Sequence, residues 1–273
     1  MTAVDGPTPP TVDPATAADD ALLAAALADA AGRALEQLRA EFTARGAFDP
    51  KELKNAGDQT AHDLLMAALA TYRPGDAVLS EEGADDLARL DADRVWIVDP
   101  LDGTREFSEP PRDDWAIHVA LWQRDGGAAD GVGELTAGAV ALPGRGVTLS
   151  TYAVQQPTTP IPVRPRVLVS RTRPPVEAQR VAEALGAELV PMGSAGAKTM
   201  AVVLGDGDVY VHSGGQYEWD SAAPVAVARA AGLFCSRIDG ALLAYNQRDV
   251  SLPDLIVCRP ELAEAVLAAA ADR

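Results

Sequence analysis

The stretch WIVDPLDGTREF, residues 96–107, runs an apolar segment into Asp99 and places Asp102 three residues on, in an Asp-Gly-Thr turn. Glu81 and Glu82 follow Val78 and Leu79, and Asp220 opens the alanine-rich segment WDSAAPVAVARAAG. Each of these acids sits where a strand ends or a helix begins, so side chains from separate elements can converge. A carboxylate isolated in apolar surroundings costs several kcal/mol, and several together also repel one another. Divalent cations remove both objections. Hard oxygen donors select Mg²⁺ or Mn²⁺ over zinc or copper. Asp99 is suited to bridge two ions with its two oxygens, and Asp102 to bind the second. The Leu101 carbonyl is free to turn inward because the chain there is a turn. Asp-Gly is by itself a common turn, and an acid at a helix start a common cap. The combination is what points to metal chemistry.

The elements that must position these groups read as alternating helix and strand. A long amphipathic helix spans Asp19 to Arg45 and a second Asp58 to Ala70. Short strands are expected at 78–79, 94–98 and 115–122, followed by antiparallel strands in GELTAGAVAL and VTLSTYAVQQ. Prolines thicken over 157–166, after which VLVS, a helix 174–185, AELVP, a helix after GSAG, DVYVH and helices 219–231 and 260–271 alternate. We therefore expect a disordered lead-in over 1–18, an N-terminal α+β lobe over 19–160 carrying most of the metal ligands, and a C-terminal α/β lobe over 161–273 carrying Asp220 and the substrate residues.

With 273 residues, 48% of them hydrophobic, the chain can bury a large core. Its formal charge of −17, from 40 acidic and 23 basic residues, argues against nucleic acid as a partner. A small phosphorylated substrate remains compatible, since bound cations invert the local field. Cys235 and Cys258 have no CxxC spacing, which argues against a disulfide framework or zinc site and suits a reducing interior. His62, His118 and His212 are too scattered for a histidine-based metal centre. No apolar run reaches membrane-spanning length and the N-terminus lacks a basic signal-peptide region, so a cytoplasmic protein is expected.

Phosphatases that use a nucleophilic aspartate place their acids in a DxDxT or DxDGT arrangement. The spacing of Asp99 and Asp102, with Pro100 between, differs and suits direct attack by metal-activated water. The set Glu81-Glu82, DPLDGT (99–104) and WDSAA (219–223) closely resembles the inositol monophosphatase-like family over about residues 20–260. The resemblance implies an α/β fold, a layered αβαβα sandwich of the inositol monophosphatase/fructose-1,6-bisphosphatase type. It implies Mg²⁺-dependent, lithium-sensitive phosphomonoesterase activity with two or three ions, Mn²⁺ substituting, and a homodimer. Glu81, Asp99 and the Leu101 carbonyl then correspond to a first metal site; Asp99, Asp102 and Asp220 correspond to a second, with Glu81 sharing a third ion. Thr104 resembles the threonine that orients the attacking water. T60-A-H-D63 matches the family's T-x-x-D, so Thr60 and Asp63 are expected near that water, with Asp63 polarising Thr104. Asp58 stands two residues before Thr60 rather than the family's three.

Arg105-Glu106-Phe107, the stretch VLVSRTRPP (167–175), GSAGAKTM (193–200), YEWD and YNQRDVSLPDL (245–255) resemble the CysQ-like branch. That branch acts on 3′-phosphoadenosine 5′-phosphate. One phosphate would lie on the metals, supported by backbone N–H groups of Gly103 and Thr104. Arg105, Arg171, Lys198 and Arg248 are the cations available for the other, with Ser170 and Ser194 as donors and Tyr245 against the adenine. The expected reaction is hydrolysis of the 3′-phosphate to AMP and phosphate. The alternatives are inositol-1-phosphate or fructose-1,6-bisphosphate hydrolysis, or, from another class, an inactive nucleotide-sensing scaffold.

Overall fold

The computed structural model describes residues 8–124 and 133–271. The described residues form two five-stranded sheets. The first follows the order β1 (Ala77–Ser80), β2 (Arg94–Asp102), β3 (Ala116–Gln123), β4 (Glu134–Leu142) and β5 (Val147–Ser150). Strands β1 and β2 are parallel and the remaining pairs antiparallel. The second sheet begins with β7 (Glu188–Met192), β6 (Arg166–Ser170) and β8 (Val209–Ser213), and ends with β10 (Asp254–Cys258) and β9 (Phe234–Ser236). Its first three strands are parallel and β10 is antiparallel to both neighbours.

Helices α1 (Pro14–Ala18), α2 (Asp20–Ala44), α3 (Pro50–Tyr72) and the single turn α4 (Thr104–Phe107) belong to the first half. Helices α5 (Val176–Leu185), α6 (Ala195–Leu204), α7 (Glu218–Ala230) and α8 (Ala263–Ala271) belong to the second. Helices α2 and α3 cover one face of the first sheet, α6 and α7 fill the space between the sheets, and α5 and α8 cover the far face of the second. The result is the expected αβαβα sandwich.

A sheet covered on both faces needs apolar side chains on both, which is why β3 reads as a continuous run, AIHVALW. Ile117, Val119 and Leu121 enter the core beneath α2 and α3, whereas Ala116, Ala120 and Trp122 face α6 and α7. The same enclosure makes α7 apolar almost all round: Ser221 to Ala228 are buried without a break.

Several expectations are corrected. Helix α3 begins at Pro50, two turns before Asp58, because Asp49 caps Lys51 N–H and Pro50 occupies the first turn. Strands β9 and β10 were not anticipated. Of the expected disordered lead-in, residues 1–7 lie outside the described residues, and the rest is ordered. Asp13 caps α1, and the Tyr72 hydroxyl accepts from Val12 N–H and donates to the Pro10 carbonyl.

Candidate active site

Strand β2 carries the core of the site. Its pairing with β3 is regular to Asp99↔His118 and slips before Asp102↔Ala116, so the chain leaves the ladder where proline removes a donor. In that slip Leu101 N–H donates to Asp99 Oδ1, and Thr104 Oγ1 lies 3.1 Å from the Leu101 carbonyl. Gly103 adopts φ +83°, a left-handed turn suited to glycine that starts α4 immediately after Asp102.

The fold brings Asp99, Asp102 and Asp220 together, with one carboxylate oxygen of each within 4.8 Å of the others. Asp99 and Asp102 come from the C-terminal end of β2, on either side of its register slip, and Asp220 from the first turn of α7. Asp99 is fully buried; loss of hydration and the charges of Glu81, Asp102 and Asp220 hold its carboxyl well above the ordinary range. Burial and the charge of Asp102 push Asp220 up to about 6. Glu81 stands outside this triad and keeps solvent-facing surface, yet its carboxyl meets Asp99. Desolvation and then the charge of Asp220 raise it to about 7. Crowded hard oxygen donors that resist ionisation together are what a divalent cation relieves, so the donor set fits Mg²⁺ or Mn²⁺.

Asp102 behaves differently. Burial alone would raise it, but the imidazole of His118 and hydrogen bonds from Ser194 and Gly196 lower it to about 2. Ser194 Oγ donates to Asp102 Oδ2 at 2.5 Å and Gly196 N–H at 2.6 Å, while Ala195 N–H donates to Oδ1 at 3.2 Å. Asp102 thus lies on the N-terminus of α6, where amides and helix dipole favour an anion.

Thr104 does not meet Asp63. Its Oγ1 lies 3.4 Å from Asp58 Oδ1, whereas Asp63 accepts from Gln59 one turn back on α3. The reason is helical phase. Leu53, Gly57, Ala61 and Leu65 bury one face of α3, which carries Asp58 inward with Gly57 and turns Asp63 toward its edge. Thr60 is half-buried on the same helix, and neither Thr60 nor Asp63 lines the cleft beside the triad. Asp58 is raised to about 6, by burial first and then by the charge of Glu82.

That cleft, about 290 Å³, is walled by Gly103, Arg105, Ser170, Arg171, Arg173, Ser194, Lys198 and His212 together with Asp102 and Asp220. Its cations are mostly engaged. Arg171 is held by Glu106 at 2.6 Å and Glu109 at 2.7 Å, and Arg105 by Glu109 at 3.1 Å. Lys198 is not solvated: it is buried, its ammonium donates to the Gly193 and Ser194 carbonyls, and burial lowers it to about 8. Arg173 makes no ion pair among the described residues. Arg248 is exposed and does not line the cleft. Tyr245 is 3% exposed within the core, its hydroxyl 3.2 Å from Ser221 Oγ, so no base can lie against it.

Three participants escaped the reading of the sequence. His118 is wholly buried between Asp99 and Asp102, and Asp114 accepts from Gly193 N–H at the turn into α6. Glu106, also buried, holds Arg171. A histidine at an inward position of an otherwise apolar strand was the available signal for the first.

Fold and site define a phosphatase of the inositol monophosphatase type, and similarity to known proteins agrees. The model of the inositol monophosphatase family matches residues 18–273, and the chain belongs to that family. It is a phosphoric monoester hydrolase by that membership, and the family is metal-dependent. The chain is 54% identical over 252 residues to a 3′-phosphoadenosine 5′-phosphate phosphatase of Mycobacterium leprae, covering 91% of this chain and 92% of that one. It is 30% identical over 205 residues to the 3′(2′),5′-bisphosphate nucleotidase CysQ of Escherichia coli K12, covering 71% and 80%. The crystal structure of CysQ from Bacteroides thetaiotaomicron superimposes with TM-score 0.70 at 26% identity, covering 88% of this chain and 97% of that one. Among the described residues no helix is long and apolar enough to cross a membrane.

Proposed function

We propose that this chain is a Mg²⁺-dependent phosphomonoesterase that removes the 3′-phosphate of 3′-phosphoadenosine 5′-phosphate, leaving AMP and inorganic phosphate. The observation that carries the reading is one cleft with two chemistries, Asp102 and Asp220 of the acidic triad at one end and Arg105, Arg171 and Arg173 at the other. A substrate bearing two separated phosphates matches both ends, and the relative from Mycobacterium leprae carries the corresponding name.

Asp99, Asp102 and Asp220, with Glu81 and the Leu101 carbonyl, would hold two or three Mg²⁺ ions or, in their place, Mn²⁺. Bound there, such ions supply Lewis-acid charge to the phosphoryl and leaving oxygens. Thr104 orients the attacking water through its hydroxyl. Asp58, raised to about 6, is the carboxylate able to take up the proton passed through that hydroxyl. Backbone N–H groups of Gly103 and Thr104 support the scissile phosphate. At the far end Arg173 holds the second phosphate with Ser170, while Arg171 and Lys198 shape the wall. Buried thiols at Cys235 and Cys258 suit the reducing cytoplasm, and the family likeness supports a homodimer.

The deciding experiment compares kcat/KM for 3′-phosphoadenosine 5′-phosphate, inositol 1-phosphate and fructose 1,6-bisphosphate in saturating Mg²⁺. The bisphosphorylated nucleotide is expected to lead by tenfold or more. An equal or higher constant for either sugar phosphate would replace this reading with that one.

A further inference from the structure

His118 sits at the centre of the cluster and the chemistry above leaves it without a task. Its ring is 0% exposed. Nε2 lies 3.2 Å from Asp102 Oδ2, and Nδ1 lies 3.0 Å from the Trp219 carbonyl and 3.8 Å from Asp99 Oδ2. Both nitrogens therefore face oxygens, on strand β2's turn at one side and on the first turn of α7 at the other. Space for the ring exists because residue 196 is glycine: a Cβ there would overlap Nε2. On Asp102, Ser194 Oγ and Gly196 N–H donate to Oδ2 and the imidazole stands beside that oxygen as a close charge contact without hydrogen-bond geometry, while Oδ1 has the single contact from Ala195 N–H.

We propose that His118 is a positioning residue that locks Asp102 to the start of α7, so that Asp102 through Oδ1 and Asp220 present oxygens to one cation at a set separation. The proposal rests on the metal-holding part of the function above and not on which phosphate is cleaved. Without the ring, β2 and α7 remain packed and Asp102 keeps its α6 amides, but the bridge from Asp102 to the Trp219 carbonyl is lost while the two carboxylates still repel each other. Partners of ligating groups typically contribute about ten- to a hundredfold in metal affinity.

The test is calorimetric titration of the full chain with Mg²⁺ and with Mn²⁺, without substrate, alongside thermal unfolding in chelator. His118→Ala should weaken binding by about ten- to a hundredfold. His118→Gln, whose amide nitrogen reaches the position of Nε2, should recover much of the loss. Gly196→Ala should displace the ring and weaken binding too. Combining it with His118→Ala should relieve the overlap and raise the unfolding temperature above that of Gly196→Ala alone, without restoring metal affinity. If His118→Ala does not fold, the Gln and Gly196→Ala proteins decide by the same titration. Parental affinity in His118→Ala, affinity restored in the double variant, or equal losses in the Ala and Gln variants would each overturn the role of His118. Failure of the parent protein to bind either cation would overturn the metal reading itself, and this proposal with it.

Discussion

Asp58 and Asp63 share one helix and one charge, yet only Asp58 reaches Thr104, at 3.4 Å. A proton acceptor acting through that hydroxyl contributes typically about a hundredfold or more to rate. Asp58→Asn should therefore lower kcat by about two orders of magnitude with little change in KM, whereas Asp63→Asn should stay within about threefold of the parent. Steady-state kinetics on the two proteins checks this, and the reverse order would return the role to Asp63. Ser194 offers a second case at this scale. Its hydroxyl donates to Asp102 while accepting Ala197 N–H as the cap of α6, so Ser194→Ala removes an anchor and a cap together. The expected loss of stability is about 0.5–2 kcal/mol in denaturant unfolding, accompanied by weaker Mg²⁺ binding.

Among the elements, α3 depends on one close approach. A Cβ on Gly57 would stand 2.7 Å from the Phe107 ring and 2.9 Å from Leu101 Cδ2, so glycine is what lets α3 settle against α4 and the β2 turn. That contact sets the depth at which Asp58 meets Thr104. Gly57→Val should cost about 1–3 kcal/mol through overpacking. It should also lower kcat, because the helix must move outward and takes Asp58 with it. Chevron or equilibrium denaturation paired with kinetics separates the effects. Undiminished kcat in a destabilised protein would show that α3 position does not govern the site.

At the scale of the molecule, crowded acids tie stability to pH. Glu81 and Glu218 are each raised to about 7, both by desolvation first, from 4.5. His118 is also raised: burial alone would lower it, but Asp102 outweighs that. Between about pH 6.5 and 8 the folded chain without metal holds more protons at these groups than the unfolded chain, so stability falls as pH rises. His212, which burial depresses to about 4 from 6.5, acts in the opposite sense between those values, but it is one group against the raised carboxyls of Glu81, Glu218, Asp99, Asp220 and Asp58, so the fall continues below pH 6.5. Asp102, held at about 2, acts lower still. In chelator the unfolding temperature should drop by a few degrees from pH 6.5 to 8, and excess Mg²⁺ should remove the difference. A flat profile in chelator would mean that the cluster is already neutralised within the protein.

The metal chemistry was legible in WIVDPLDGT, the EE pair and WDSAA, because strand ends, turn residues and helix starts are local features that a short window contains. Alternating helix and strand were legible in the hydrophobic periodicity, whereas their layering into an αβαβα sandwich was expected from the resemblance that the DPLDGT and WDSAA motifs carry. What the window could not contain is phase and partnership. Helical phase on α3 chose Asp58 over Asp63, and a turn signal at Asp49 lengthened that helix beyond its apolar pattern. Arg171, 65 residues from Glu106, is engaged by a carboxylate that only tertiary packing brings to it. Lys198 and Tyr245 looked available as ligands, but enclosure between the two sheets turned one into a support for the α6 turn and the other into core. His118 shows the same limit: on β3 it is one polar residue in an apolar strand, and its meaning arises only where β2, α6 and α7 meet around it.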